Sequence, residues 1–412
     1  MARVQTGGIV VVLTTLALTC AALAGEKTAW RLFVSDHSEP IVNVIDLLKQ
    51  EKIETFATKA PAHLYRSKTG QTVLAVQRGA DLVTAIDSGI SFEDHGDHGD
   101  IKIKAPRLPG VDIAGKQPSH VVEHGGEIAI FFDGEGRARI SSERMMHASK
   151  PVLRETAPGV PHHGVAVAND RYTLISEPNA KNSKELPVGI KISDKSGAQV
   201  GSLHLCPELH GEASSGNILV FSCASGLLVV TAGESAPKIK FLQYDAALPD
   251  GKTTTMLGGR GLQYFLGNFG SDKIVLIDPT EAEAFRLLTL PMRRVDFAVD
   301  SVRSRFAYVF TEDGRLHRVD VIAGKIDRSL KVTEPYSMDG HWSDPRPRLA
   351  VAGDRIAVTD PLKGTISLVD ALTFTKAAIS RSEASRSTSS LWVDRDGATT
   401  MSSPPSRHRL QV

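Results

Sequence analysis

A chain of 412 residues exceeds the size at which single hydrophobic cores usually stop growing, leaving several domains, a repeat architecture or a large all-β ring. Lys plus Arg (48) nearly cancels Asp plus Glu (47), so there is no electrostatic footprint for nucleic acid and no basic block suited to a membrane surface. Hydrophobic content of 41% is ordinary for a globular protein, so function must come from particular sites.

The chain opens with a short positive region at Arg3, an apolar stretch from Ile9 to Leu23 and the small-residue run Ala22-Leu23-Ala24. This pattern reads as a cleavable signal peptide over 1–24, with export to the periplasm and a mature start near Gly25. Cys20 raises a lipid-anchored alternative, but Thr19 fits a lipid-attachment box poorly. Nothing later is apolar enough to span a bilayer as a helix.

From Trp30 onward short β-branched and apolar runs recur between Gly, Asp, Asn and Ser clusters, with little helical periodicity. Five places stand out: Pro61-Ala62-His63, Pro118-Ser119-His120, Pro161-His162-His163, Glu208-Leu209-His210 and Gly340-His341. Each precedes a strand–turn–strand pattern, at spacings that bracket a propeller-blade period, with two His-free units between His210 and His341. Units open near His63, His120, His163, His210, Gly261, Phe297 and His341. The run Trp30–Thr58 supplies three more strands without an opening strand of its own. The expected fold is therefore all-β: a β-propeller of eight blades, with seven as the alternative, closed by a strand shared between the termini. The propeller spans 25–378 as one domain. The Ser- and Arg-rich stretch 379–412 reads as an atypical, disordered tail. Codons able to encode Ser385–Val393 would, read two bases later, spell Pro-Phe-Asn-Ile-Val-Ala-Val-Gly. The tail is accordingly expected to be a frameshifted closing strand.

In a propeller the first strand of every blade lines one channel, so equivalent positions from different blades converge on the axis. Neutral imidazole is a strong zinc ligand, and three or four in tetrahedral array suffice. Zinc is expected on some of His120, His163, His210 and His341, the first three from consecutive blades and His341 approaching from across the channel, with His63 as a further candidate. The five cannot all ligate one ion, and which are left out stays open. The competing interpretation is that these histidines cap strands. His162 and His124 read as structural or supporting. A second feature is the loop Phe92–Asp100, where Asp94, His95, Asp97 and His98 offer nitrogen and oxygen donors on a Gly-containing backbone suited to transient metal capture. Calcium fits less well, because no EF-type spacing is present. Asp339 and Asp344 flank His341 as supporting partners or turn residues. Met145-Met146-His147 hints weakly at copper. The glycines of Gly258–Phe265 lack the strand-then-helix context of a nucleotide loop, and no nucleophile elbow is visible.

Cys206 and Cys223 are the cysteines left after signal cleavage, and in an oxidising compartment they are expected to form a disulfide. Thiolate ligation of zinc with His210 is the alternative.

Several long segments resemble the AztD family of periplasmic zinc metallochaperones that accompany zinc ABC importers. They include WRLFVSDHSEP, AIDSGISFEDHGDHGDI, PHHGVAVAND, CPELHGEASSGN, GGRGLQYFLGNFG, RRVDFAVDSVRSRFAYVFTEDG and EPYSMDGHWSDPRPRLAVA. The resemblance runs from about Trp30 to Leu372. It implies a zinc-binding β-propeller that passes Zn²⁺ directly to the solute-binding protein of the importer, with the family's His/Asp-rich loop at Asp94, His95, Asp97 and His98. The expected protein is a monomeric binding and transfer protein, not an enzyme, with Zn²⁺ as its cargo. A His-bound metal in a propeller lactonase or hydrolase, and a metal-free scaffold, are the alternatives. The departure from the family is the C-terminus, where the Ser/Arg tail replaces the expected closing strand.

Overall fold

The computed structural model describes residues 28–95, 99–169, 171–234, 236–259, 261–341, 344–381 and 387–396. The signal-peptide expectation, including Cys20, and the loop residues Asp97 and His98 lie outside them. The described residues form eight four-stranded antiparallel sheets and one two-stranded hairpin, an eight-bladed propeller that settles the count against seven.

Within a blade the hydrophobic pattern changes from the middle strands outward. Second strands are buried on both faces and read as continuous apolar runs, as in Thr72–Gln77 and Glu127–Phe132. Fourth strands face water and are mostly polar, as in Glu51–Ala57 and Lys325–Lys331. The core lies between blades: Leu266, Ile274 and Leu276 of the sixth pack on Phe297, Val309 and Val319 of the seventh. Each cluster thus ties neighbours together, and only a closed ring covers both faces of every sheet.

Closure comes from the C-terminal stretch. Ser387–Asp396 pairs antiparallel with Thr28–Asp36, giving the first blade the order Glu51–Ala57, Ile41–Asp46, Thr28–Asp36, Ser387–Asp396. The expectation of disorder is corrected over this stretch, because the free edge of Thr28–Asp36 supplies a row of backbone partners whatever the side chains. The shared closing strand is as the repeat count requires.

First strands open at His63–Arg66, Pro118–His124, Ala166–Ala168, Glu212–Ser215, Met256–Leu257, Arg294–Val299 and Leu349–Ala352. The histidine series is thus not in strict register: His63 begins a strand, His120 lies inside one, and His163, His210 and His341 precede theirs. The sixth unit opens at Met256–Leu257 rather than near Gly261, because two residues are too short to show alternation. Gly261 has φ +82° and belongs to the turn that follows.

Two ends of the propeller must be distinguished. Second-to-third strand turns and the entries to first strands share one end, where Asp133 meets His163. First-to-second and third-to-fourth connections share the other, where the Ser88 N–H bonds to Gln71 O. The hairpin Ile90–Asp94 with Gly99–Ile103 is inserted after the third strand of the second blade, so it belongs to this second end.

Candidate metal centre

The strand Pro118–His124 has a register irregularity between Pro118 and Val121, and beyond it Val122 and His124 share one face and Val121 and Glu123 the other. The short, small-residue first strand of the fourth blade, Ala166–Ala168, lets the third and fifth blades approach one another. His120 thereby meets Glu212, Nδ1 to Oε1 3.3 Å, and His124 Nδ1 lies 2.9 Å from Ser214 Oγ. His163 arrives in the connection just ahead of Ala166. His210 arrives in the connection before Glu212, where Glu208 adopts φ 54° and Gly211 φ 99°. A Cβ on Gly211 would lie 2.7 Å from Thr254 O, the carbonyl that His210 uses, so glycine is required there.

Three rings gather as a result. His120 and His163 have centroids 4.9 Å apart, and His163 and His210 have centroids 5.5 Å apart. Their Nδ1 atoms all face acceptors. His163 Nδ1 lies 2.9 Å from Asp133 Oδ2, and His210 Nδ1 lies 3.0 Å from Thr254 O. Carboxylates and carbonyls only accept, so each Nδ1 is the donor, and in the neutral ring Nε2 keeps its lone pair. His120 Nε2 stands 3.3 Å from His163 Nε2. Two nitrogens bound at about 2.05 Å to one tetrahedral zinc would be about 3.3 Å apart. At this distance the pair is held by a proton shared between the rings or by a metal ion that replaces it.

Burial alone would lower the pKa of His120, but Glu212 and then Asp133 outweigh it and raise the value, so a proton competes with a metal ion for Nε2 of this ring. Asp133 is 5% exposed. Burial opposes its ionisation, yet hydrogen bonds from His163, Ser119 and Arg78 hold its pKa below the usual carboxylate value. His210 is lowered by burial and by the neighbouring His163 and His120, although its bond to Thr254 opposes this, which favours the neutral, ligating form. Carboxylate–imidazole and carbonyl–imidazole pairs fix tautomers and raise ligand basicity. Among the described residues no three His, Cys, Asp or Glu side chains already enclose a metal position. The rings are gathered rather than closed.

His63 begins the first strand of the second blade. Burial, then the charges of Arg348 and Arg78, lower its pKa. His341 lies in the loop before Leu349–Ala352, its N–H bonded to Asp344 Oδ2 at 2.7 Å, and Asp339 pairs with Arg293. His162 is buried, bonded to Val160 O and Ser176 Oγ, which is a structural role. In the hairpin His95 is exposed and lies 3.6 Å from Asp100, and Asp94 ends the first strand. Met146 is core, while His147 lies against Thr72 and Asp87. Cys206 and Cys223 form a disulfide joining the fourth blade to the fifth, with Cα atoms 4.8 Å apart. This excludes thiolate ligation while the bond is intact. Sequence reasoning missed Asp133, Glu212, Arg78 and the Thr254 carbonyl. Asp133 reads as an ordinary turn residue in Asp133-Gly134-Glu135-Gly136, and only Glu212, two residues from His210 on a strand, offered a signal.

No family model matches the sequence. A curated relative, the zinc chaperone AztD of Citrobacter koseri, is 51% identical over 353 residues, covering 86% of this chain and 84% of its own. The chain belongs to the AztD family. The crystal structure of Citrobacter koseri AztD superposes with TM-score 0.88 at 49% identity, covering 90% of this chain and all of that one. The apo AztD structure from the same organism gives TM-score 0.87 at 48% identity, covering 91% of this chain and all of that one. The dihydro-heme d1 dehydrogenase NirN, at TM-score 0.58 and 12% identity over 88% of this chain and 74% of its own, shares the fold alone. The AztD relative is named a chaperone, not an enzyme, in line with the expectation from sequence. Among the described residues no helix is long and apolar enough to cross a membrane.

Proposed function

We propose that this protein is a periplasmic zinc chaperone that binds Zn²⁺ through Nε2 of His120, His163 and His210. It would pass the ion directly to the solute-binding protein of a zinc ABC importer. The observation that carries this reading is the convergence of the three imidazoles, each with Nδ1 held by an acceptor and two Nε2 atoms at the spacing of shared zinc ligands. The name of the AztD relative, the N-terminal signal pattern and the disulfide support it.

Three histidines leave a fourth position open on tetrahedral zinc. Transfer then proceeds by ligand exchange: a donor atom of the acceptor enters the open position as one histidine leaves. His163 suits the leaving role, being 42% exposed where His120 is 23% exposed. His341 and His63 contribute outside this set. The Asp94, His95, Asp97 and His98 loop serves capture at the other end of the channel.

The test is zinc stoichiometry on the purified protein after loading and desalting, alongside a His120→Ala, His163→Ala, His210→Ala variant. One tightly held zinc lost in the folded variant supports the reading. No retained zinc in the folded parent, or full retention in the variant, overturns it.

A further inference from the structure

Resting on that reading, we propose that Arg78 is a release-tuning residue: its guanidinium shares the Asp133 carboxylate with His163 and so keeps zinc affinity below what the three histidines would otherwise give.

Arg78 sits in the short 3-10 turn between the second and third strands of the second blade, at the same end of the propeller as the histidine set. Its Nη1 lies 2.8 Å from Asp133 Oδ2, the oxygen that accepts from His163 Nδ1 at 2.9 Å. The same Nη1 reaches Gln117 O at 3.3 Å, and Nη2 reaches Gln117 Oε1 at 3.2 Å. The fork is thus anchored on the neighbouring blade rather than swinging free. Gln117 is itself placed by Asp81, whose Oδ1 accepts its N–H at 2.8 Å.

Asp133 is fully occupied. Oδ1 takes Ser119 Oγ and the Gly164 N–H, and Oδ2 takes His163 and Arg78. Ser119 and Gly164 suffice to orient the carboxylate, so the arginine is not needed to hold it. What Arg78 adds is charge. A guanidinium cannot deprotonate, and it draws electron density from the carboxylate that would make His163 a stronger donor. It also repels an incoming dication directly. A carrier that must surrender its cargo benefits from such a built-in penalty.

The experiment compares zinc dissociation constants of parent, Arg78→Gln and Arg78→Lys by competition with a chromophoric chelator, with zinc dissociation rates in excess chelator. With the guanidinium on the order of 10 Å from zinc in near-aqueous dielectric, Arg78→Gln is expected to bind roughly three- to tenfold tighter and release correspondingly more slowly. Arg78→Lys, which keeps the charge, should stay within about twofold of the parent. Affinity that is unchanged or weaker in Arg78→Gln, with the apo melting temperature preserved, overturns the inference, because a purely structural arginine can only weaken the site when removed. Tightening in both variants also overturns it, since charge would not then be the cause. A parent that holds no zinc defeats the underlying reading instead, and the two failures are distinguishable.

Discussion

Replacing Asp133 with Asn changes one atom's chemistry and almost no volume. The carboxylate receives His163 and Arg78 on Oδ2 and Ser119 and the Gly164 N–H on Oδ1, with 5% of its side chain exposed. An amide has one accepting oxygen and one donating nitrogen, so one of these two faces must set donor against donor. If the nitrogen faces His163, the ring shifts its proton to Nε2 and loses its ligating lone pair. If the nitrogen faces Ser119 and Gly164, His163 keeps a bond but loses the carboxylate's negative charge beside a bound cation. Loss of such a supporting partner costs about 10- to 100-fold in metal affinity, or about 1.4 to 2.7 kcal/mol. The apo protein loses a charge-assisted bond besides, about 1–2 kcal/mol of stability. Chelator competition gives the affinity and a thermal melt of the metal-free protein gives the stability. A folded Asp133→Asn protein whose zinc affinity lies within twofold of the parent would refute the role assigned to Asp133, and with it the placement of zinc at His163.

Replacing both Cys206 and Cys223 by Ser should lower stability by about 3 kcal/mol on the loop-closure estimate for a separation of 17 residues, read by urea unfolding. It should also weaken zinc binding, because the bridge anchors the connection that presents His210. Metal-free stability should fall as pH drops below about 6.5, the unfolded histidine value. His124, His210 and His317 are held below that value, chiefly by burial, so the unfolded chain takes up their protons first. His120, raised by Glu212 against the effect of burial, works the other way, its contribution being present below 6.5 and lost as pH rises; unfolding midpoints that climb steadily from pH 7 to pH 5 would contradict the balance. His95→Ala should leave the tightly held zinc unchanged, since the hairpin lies at the other end of the channel, and loss of that zinc by elemental analysis would refute the two-ended arrangement. Truncation after Arg381 removes Ser387–Asp396 and bares the edge of Thr28–Asp36, so a cooperative melt should be lost; a truncated chain that melts like the parent would deny that this strand closes the ring. Resequencing the encoding locus tests the frameshift idea, which an intact frame without a nearby indel would end.

The repeat of strand and turn signals was enough to determine a propeller, and the three-stranded start was enough to require a shared closing blade, because both follow from local hydrophobic period and from counting. The disulfide was likewise readable from two cysteines and an export signal. What closes the ring was not. Ser387–Asp396 has little apolar pattern, and its place is set by the unpaired backbone edge of a strand more than 350 residues earlier. The histidine series offered five candidates, since recurrence shows that imidazoles reach one end of a channel but not which of them meet. That choice belongs to the tertiary structure. The short Ala166–Ala168 strand brings the third and fifth blades together, so His120, His163 and His210 converge. Asp133 and Arg78 were invisible as partners because they lie 55 residues apart in sequence and meet only across a blade boundary. Local sequence fixes which way a side chain points along its strand, and only ring closure fixes what it then faces.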